Sequence, residues 1–222
     1  MSKTLRVVVP PHPLIGHWLT LLRDRNTPPA LFATAMAELG RWLTYEAMRD
    51  WIPYQRVQVQ TPLAKTEGTV VDGSVPILAV PVLRAGLGLW EGARTVLPSA
   101  AVAHMGFQRD GNGASSCYLN GLPEQIPANA GVLVFEPMVA SAATLLQVLE
   151  ALEAKGVSGV RVRVISALAA SPGLKSLGER YSDLTIYTGC IDAELDGQQR
   201  ILPGLGDAAE RLYGMAQPGF VG

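Results

Sequence analysis

The chain has 222 residues, 48% of them hydrophobic and 17% charged, with a formal net charge of −1. That balance excludes a disordered chain. It also argues against a broad nucleic-acid-binding face, leaving room only for a local basic pocket. Two cysteines, Cys117 and Cys190, are too few for a disulfide framework or a cysteine-rich zinc site, and suggest reduced thiols in a cytoplasmic setting. The opening run MSKTLRVVVPPHPL is cut by Pro10 and Pro11, so it reads as neither a signal peptide nor a membrane span. No repeat or low-complexity linker divides the chain, and one domain over residues 1–222 is expected.

In chain order, Leu31, Ala35, Leu39, Trp42, Leu43 and Ala47 recur at helical spacing after Pro28-Pro29, predicting a long amphipathic helix. RVQVQTP, Arg56 to Pro62, alternates like a half-exposed strand, and GTVVDGS suits its return strand, making a hairpin arm. SVPILAVPVL, Ser74 to Leu83, has the continuous apolar character of a central buried strand. It runs into RAGLGLWEGA, a glycine-punctuated turn that opens a helix. Ala100 to Phe107 reads as the next strand. Arg109 to Pro123 is polar and glycine-rich and is expected to be a mobile loop. GVLVF is a strand, ATLLQVLEALEAKG a helix stopped by Gly156, and VRVRVISALAA and LTIYTGCID are further strands. The tail RILPGLGDAAERLYG is a Pro-Gly turn leading into a short helix. Strands alternating with helices predict an α/β fold with a mostly parallel sheet, in which ligands bind beyond the strand C-terminal ends.

Four segments carry candidate chemistry. FEPMVASAAT, Phe135 to Thr144, sits between a strand and a helix N-terminus, where unpaired backbone N–H groups and the helix dipole favour an anion. Ser141 and Thr144 add hydroxyls, and Glu136 is placed to accept hydrogen bonds from a sugar. The same segment also describes a plain connection capped by Ser141. It has no Walker lysine, which excludes a nucleoside-triphosphate P-loop. Arg84 follows an apolar strand and is placed to grip a phosphate with its planar fork, or to pair with a local carboxylate. Arg109 stands at the base of a flexible loop able to fold over an anion. In ILPGLGDA, glycines bring backbone close to a ligand, and Asp207 is either a ligand contact or an N-cap. His12, His17 and His104 show no metal-ligand spacing.

Together these segments resemble uracil phosphoribosyltransferases, almost end to end. HPLIGHWLTLLRD is similar to that family's opening segment, LTYEA to its first-helix signature, and VPVLRAGLGL to VPILRAGLGM. FEPMVASAAT occupies the place of DPMLATGGS; YTGCID and ILPGLGDA match the C-terminal segments. The resemblance implies a type I phosphoribosyltransferase fold with a C-terminal hood. It also implies transfer of phosphoribosyl from phosphoribosyl pyrophosphate to uracil, giving UMP and pyrophosphate, with Mg²⁺. Carried over, Arg84 and Arg109 hold pyrophosphate. Glu136, Pro137, Met138, Val139, Ala140, Ser141, Ala142, Ala143 and Thr144 hold ribose and its 5′-phosphate. Asp207 reaches the donor, and Ile201, Gly206, Asp207 and Ala208 frame uracil. The family is typically dimeric or higher, so the hairpin arm is expected to bury itself on a second subunit.

The chain departs from the family pattern within the phosphate segment. Glu136 replaces Asp, Ser141 replaces Thr, and Ala142-Ala143 replace a glycine pair. An alanine held at positive φ costs about 1–2 kcal/mol. These changes keep open a second reading, a weak or inactive relative that binds uracil or UMP as a sensor. They also lead to the expectation that restoring both glycines raises donor affinity.

Overall fold

The computed structural model describes residues 4–109 and 115–214. In chain order the elements are β1 (Arg6–Val8), α1 (Pro13–Arg23), α2 (Pro29–Met48), β2 (Tyr54–Gln60), β3 (Lys65–Val71), β4 (Ile77–Leu83) and α3 (Gly86–Ala93). Then come β5 (Ala101–Val102), β6 (Met105–Arg109), β7 (Ser115–Asn120), β8 (Gly131–Phe135), β9 (Met138–Val139) and α4 (Ala143–Glu153). The chain continues with β10 (Val162–Ser166), β11 (Leu168–Ala170), α5 (Ser171–Arg180), β12 (Thr185–Thr188), β13 (Ile191–Asp192), β14 (Glu194–Leu195), β15 (Ile201–Leu202) and α6 (Ala208–Tyr213).

The main sheet runs β1-β12-β10-β8-β4-β6-β7, with β5 also paired to β4. Every pair is parallel except β6 with β7. The expected α/β architecture is therefore present: a mostly parallel sheet flanked by helices, with the C-terminal hood and the hairpin arm. Helices cover both faces because alternate strand residues serve different cores. Leu133, Phe135, Ile165 and Tyr187 join α1, α2 and α3 in one apolar cluster. Val132, Val134, Val164 and Ile186 join α4 and α5 in the other. β4 and β8 are buried on both sides, which explains their unbroken apolar sequences.

Strand order positions the site. From β4 the chain winds towards β6, whereas from β8 it winds the opposite way to β10 and β12. The C-terminal ends of β4 and β8 therefore flank a topological switch point, where a crevice opens in sheets of this kind. A small parallel sheet, β13-β11-β9, continues beyond the strand ends, and the antiparallel pair β14-β15 leads into the hood.

The structure differs from these expectations in several places. Ser115–Asn120, expected within a mobile loop, is an edge strand antiparallel to β6. Its side chains are largely exposed, so no apolar alternation marks it. Residues 110–114 of that segment lie outside the described residues. On α2 the buried stripe is Phe32, Ala35, Met36, Leu39, Leu43 and Ala47, while Leu31 is 39% exposed. The helical period holds, but the stripe is turned by one residue at its start. Ser171–Arg180 is a helix despite Pro172, which sits in its first turn where a missing N–H costs nothing. The arm is as expected: β2 and β3 pair from Tyr54↔Val71 to Gln60↔Lys65.

Candidate active site

A cleft of about 350 Å³ lies at the switch point. Among its lining residues are Arg84, Glu136, Met138, Thr144, Gly206 and Asp207. The structure thus brings together three segments far apart in the chain. A smaller hollow beside it is formed by Val139, Ser141, Ala142 and Ala143, sharing Glu136, Met138, Ala140 and Thr144 with the main cleft.

The phosphate segment is built as a helix N-terminus. The first bond of α4 runs from the Leu146 N–H to the Ala142 carbonyl. The N–H groups of Ala143, Thr144 and Leu145 therefore precede the helical ladder and face outward for an anion. The N-cap is Ala142, not Ser141, and it has no side-chain capping bond. The capped-connection reading fails on that point. Among the described residues, no hydrogen bond engages the Ser141 or Thr144 hydroxyl. Ala142 has φ 67° and ψ 6°, the left-handed conformation that glycine adopts freely, whereas Ala143 is already helical. Ala142 is 4% exposed and belongs to the apolar cluster under α4. Its methyl is part of the core, so the alanine is tolerated by packing at the expense of backbone strain. The preceding residues are fixed from β10 and β11. The Glu136 N–H donates to the Ile165 carbonyl, and the Pro137 carbonyl accepts from the Ala167 and Leu168 N–H groups and the Ser166 hydroxyl.

Arg84 follows β4 across a cis Leu83-Arg84 peptide. Its side chain is exposed, and no carboxylate pairs with it among the described residues. The local ion-pair alternative is therefore not what the fold uses. Its guanidinium lies 6.0 Å from the centre of the Tyr213 ring, and the Tyr213 hydroxyl donates to the Arg84 carbonyl at 3.1 Å. Burial raises the Tyr213 pKa, opposed by Arg84, so the phenol stays a neutral donor. The next turn packs tightly on β8: a Cβ at Gly86 would stand 2.4 Å from the Phe135 carbonyl oxygen. Arg109 ends β6 and pairs in register with Ser115; its side chain lies outside the described residues.

In the hood, Asp207 is both things the sequence allowed. Its carboxylate caps α6 by accepting from the Glu210 N–H, and it lines the cleft. Gly206, at φ 80°, and Ala208 line the cleft too, while the Ile201 side chain is buried in the core behind them. Gly204, at φ 62°, has no room for a Cβ, which would meet the Ile201 carbonyl oxygen at 2.2 Å. Sequence reasoning missed further cleft residues: Phe107, Gln108, Ser115, Gln199 and Arg200. The Ser115 hydroxyl is buried with no protein partner among the described residues. It follows from no motif, because the segment that carries it has the composition of a loop.

An α/β sheet with an anion-ready helix N-terminus, an unpaired arginine and a glycine-rich hood around one switch-point cleft defines a phosphoribosyltransferase-like protein. The family model for uracil phosphoribosyltransferase matches residues 9–215. A uracil phosphoribosyltransferase of Synechococcus elongatus is 53% identical over 96% of this chain and 99% of its own length. The chloroplastic one of Arabidopsis thaliana is 42% identical over 96% of this chain and 72% of its own. A solved structure from Aquifex aeolicus superposes with a TM-score of 0.83 at 33% identity, covering 93% and 97% of the two chains. The chain belongs to the uracil phosphoribosyltransferase family.

Proposed function

We propose that this chain transfers the phosphoribosyl group of phosphoribosyl pyrophosphate to uracil, releasing UMP and pyrophosphate, and that the whole chain works as one domain. The observation that carries the reading is the convergence of Arg84, the Glu136–Thr144 segment and the Gly206–Asp207 turn on one cleft. Breaking the bond between C1′ and the pyrophosphate oxygen puts positive charge on the sugar and negative charge on the leaving group. Uracil N1 forms the new bond to C1′ and its proton passes to solvent, while the electron pair of the broken bond leaves with pyrophosphate. Arg84, with Arg109 in the role the family resemblance gives it, stabilises the charge on pyrophosphate, and such electrostatic stabilisation dominates catalysis of this kind. The α4 N-terminus, with Ser141 and Thr144, holds the 5′-phosphate, and Glu136 accepts hydrogen bonds from the ribose hydroxyls.

At its N3–C4 edge uracil presents an N–H donor beside a carbonyl acceptor, where cytosine presents a bare ring-nitrogen acceptor beside an amine donor. Backbone groups of the Gly206–Ala208 turn have fixed polarity, so cytosine would leave them unpaired. Mg²⁺ fits this site through hard oxygen donors, with Asp207 and Glu136 at the cleft. The described residues contain no cluster of three or more His, Cys, Asp or Glu side chains able to cage a metal. Donor phosphates would therefore supply most of its ligands, and the ion would neutralise pyrophosphate charge.

The arm supports a homodimer or higher oligomer. Tyr54, Leu63 and Val71 are 64, 96 and 60% exposed, and a lone two-stranded hairpin is marginal in water without cover. The free Cys117 and Cys190 suit a reducing, cytoplasmic setting. The test is purified protein with labelled uracil, phosphoribosyl pyrophosphate and Mg²⁺. UMP is expected, and chelation should abolish its formation. Measurable UMP binding without turnover would replace this reading with the sensor.

A further inference from the structure

The turn that frames the base is held by groups outside the cleft. Asp192, at the end of β13, is 6% exposed, and its carboxylate receives both arms of the Arg23 guanidinium at 2.7 and 2.9 Å. The same pair closes on one residue of the turn. The Gly204 N–H donates to Asp192 Oδ2 at 3.0 Å, and Arg23 donates to the Gly204 carbonyl at 3.1 Å. Gly204 is thus gripped at its N–H and its C=O by a buried acid and a base that are themselves paired. It is also the left-handed residue two positions before Gly206, the start of the cleft-lining stretch.

A buried ion pair is weak evidence for stability, because desolvation offsets most of the attraction. Here burial works to raise the Asp192 pKa, yet the Arg23 and Gly204 hydrogen bonds hold it below the usual carboxylate range. Arg23 and the Gly204 N–H together keep the Asp192 carboxylate charged in this buried setting. Rotating the Gly204 peptide planes would rotate those that follow, and with them the donors and acceptors facing the base. Leu205, the intervening residue, is fixed in the same way: its carbonyl accepts from Arg211, which also reaches the Asp24 carbonyl.

We infer that Arg23 and Asp192 are positioning residues for base specificity, fixing the backbone polarity by which the Gly204–Ala208 turn distinguishes uracil from cytosine. Neither side chain touches the base. This rests on the proposed function. The test compares wild type with Asp192→Asn and Arg23→Lys in steady-state kinetics for both substrates, with cytosine as competitor base and urea unfolding as the folding control. Asp192→Asn removes the charged acceptor of three hydrogen bonds, two from Arg23 and one from the Gly204 N–H, so the uracil KM should rise about tenfold or more. The donor KM should rise less, because Asp207 is also held by its cap bond to the Glu210 N–H, and the preference for uracil over cytosine should narrow. Arg23→Lys keeps the charge but loses the fork, and should shift the same parameters less. If Asp192→Asn does not fold, Arg23→Lys decides by the same readouts. Equal shifts in both KM values, or an unchanged uracil KM and base preference in a folded variant, would overturn the positioning role while leaving the enzyme. A wild type that makes no UMP would overturn the functional reading itself, and this role with it.

Discussion

Replacing Ala142 with glycine separates strain from function in the phosphate segment. An L-residue in the left-handed region costs about 1–2 kcal/mol, and glycine removes that cost. Against it, glycine loses more backbone freedom on folding, about 0.4–1 kcal/mol. A buried methyl contributes about 0.8 kcal/mol more, and Ala142 is 4% exposed in an apolar cluster. These contributions nearly cancel, so Ala142→Gly should leave stability within about 1 kcal/mol of wild type. Ala143→Gly should destabilise by about 0.5–1 kcal/mol, because Ala143 is helical, exposed and unstrained. For a chain of this size that is roughly 1–4 °C in Tm, resolvable by thermal and urea unfolding of the two single variants.

Donor affinity follows a different argument. The Ala142 methyl is packed in the apolar cluster under α4, so its left-handed φ is set by the fold and the strain is common to free and bound states. A free energy common to both states does not alter binding. The expectation that two glycines tighten donor binding therefore gives way to one of little change in donor Kd. A stability loss above about 2 kcal/mol in Ala142→Gly, well beyond the usual worth of one buried methyl, would show that methyl packing, not φ, governs this position. A gain in donor affinity of about fivefold, roughly 1 kcal/mol, would show that the methyl does obstruct phosphate.

Arg84→Lys should lower kcat by about a hundredfold or more with stability unchanged, since a point charge replaces a bidentate fork at an exposed position; activity near wild type would remove Arg84 from the pyrophosphate site. Tyr213→Phe keeps the ring but deletes the hydroxyl bond to the Arg84 carbonyl, and should raise the donor KM about two- to tenfold with the uracil KM unmoved; equal effects on both substrates would argue for a general loosening of the hood. Asp192 has a depressed carboxyl pKa, so its stabilisation is fully present above the unfolded value of about 3.9 and is lost as pH falls through the lower folded value. Urea midpoints between about pH 3 and 6 should therefore fall less steeply in acid for Asp192→Asn than for wild type, and parallel curves would refute the linkage.

Much of the fold and site is legible in the sequence because it is local. VPVLRAGLG declares a buried strand and the turn that leaves it, and PGLGDA declares a backbone-exposing turn. What escapes depends on distance or on the absence of pattern. Ser115–Asn120 forms a strand by pairing with β6, not by any alternation of its own. SPGLKSLGER carries a proline and two glycines and still forms a helix, because tertiary packing of Gly173 and Leu177 outweighs propensity. Asp192 has the sequence setting of a plain strand end; its partner Arg23 lies 169 positions away. Whether Ala142 is strained turns on a single dihedral angle, which residue type does not determine.

Arg211, on the last helix described, donates to the Leu22 and Asp24 carbonyls and stacks 4.1 Å from the centre of the Phe32 ring. The first helix and the last are thus one clasp, closed across 189 positions of chain. The Thr20 and Leu21 carbonyls of α1 are covered locally by the Asp24 N–H and the Thr27 hydroxyl, but the Leu22 carbonyl waits for residue 211 to be made. The Gly204–Ala208 turn acquires its shape only when α1 and α6 meet. On the proposed reading, a chain interrupted before α6 would complete the central sheet and still fail to choose its base.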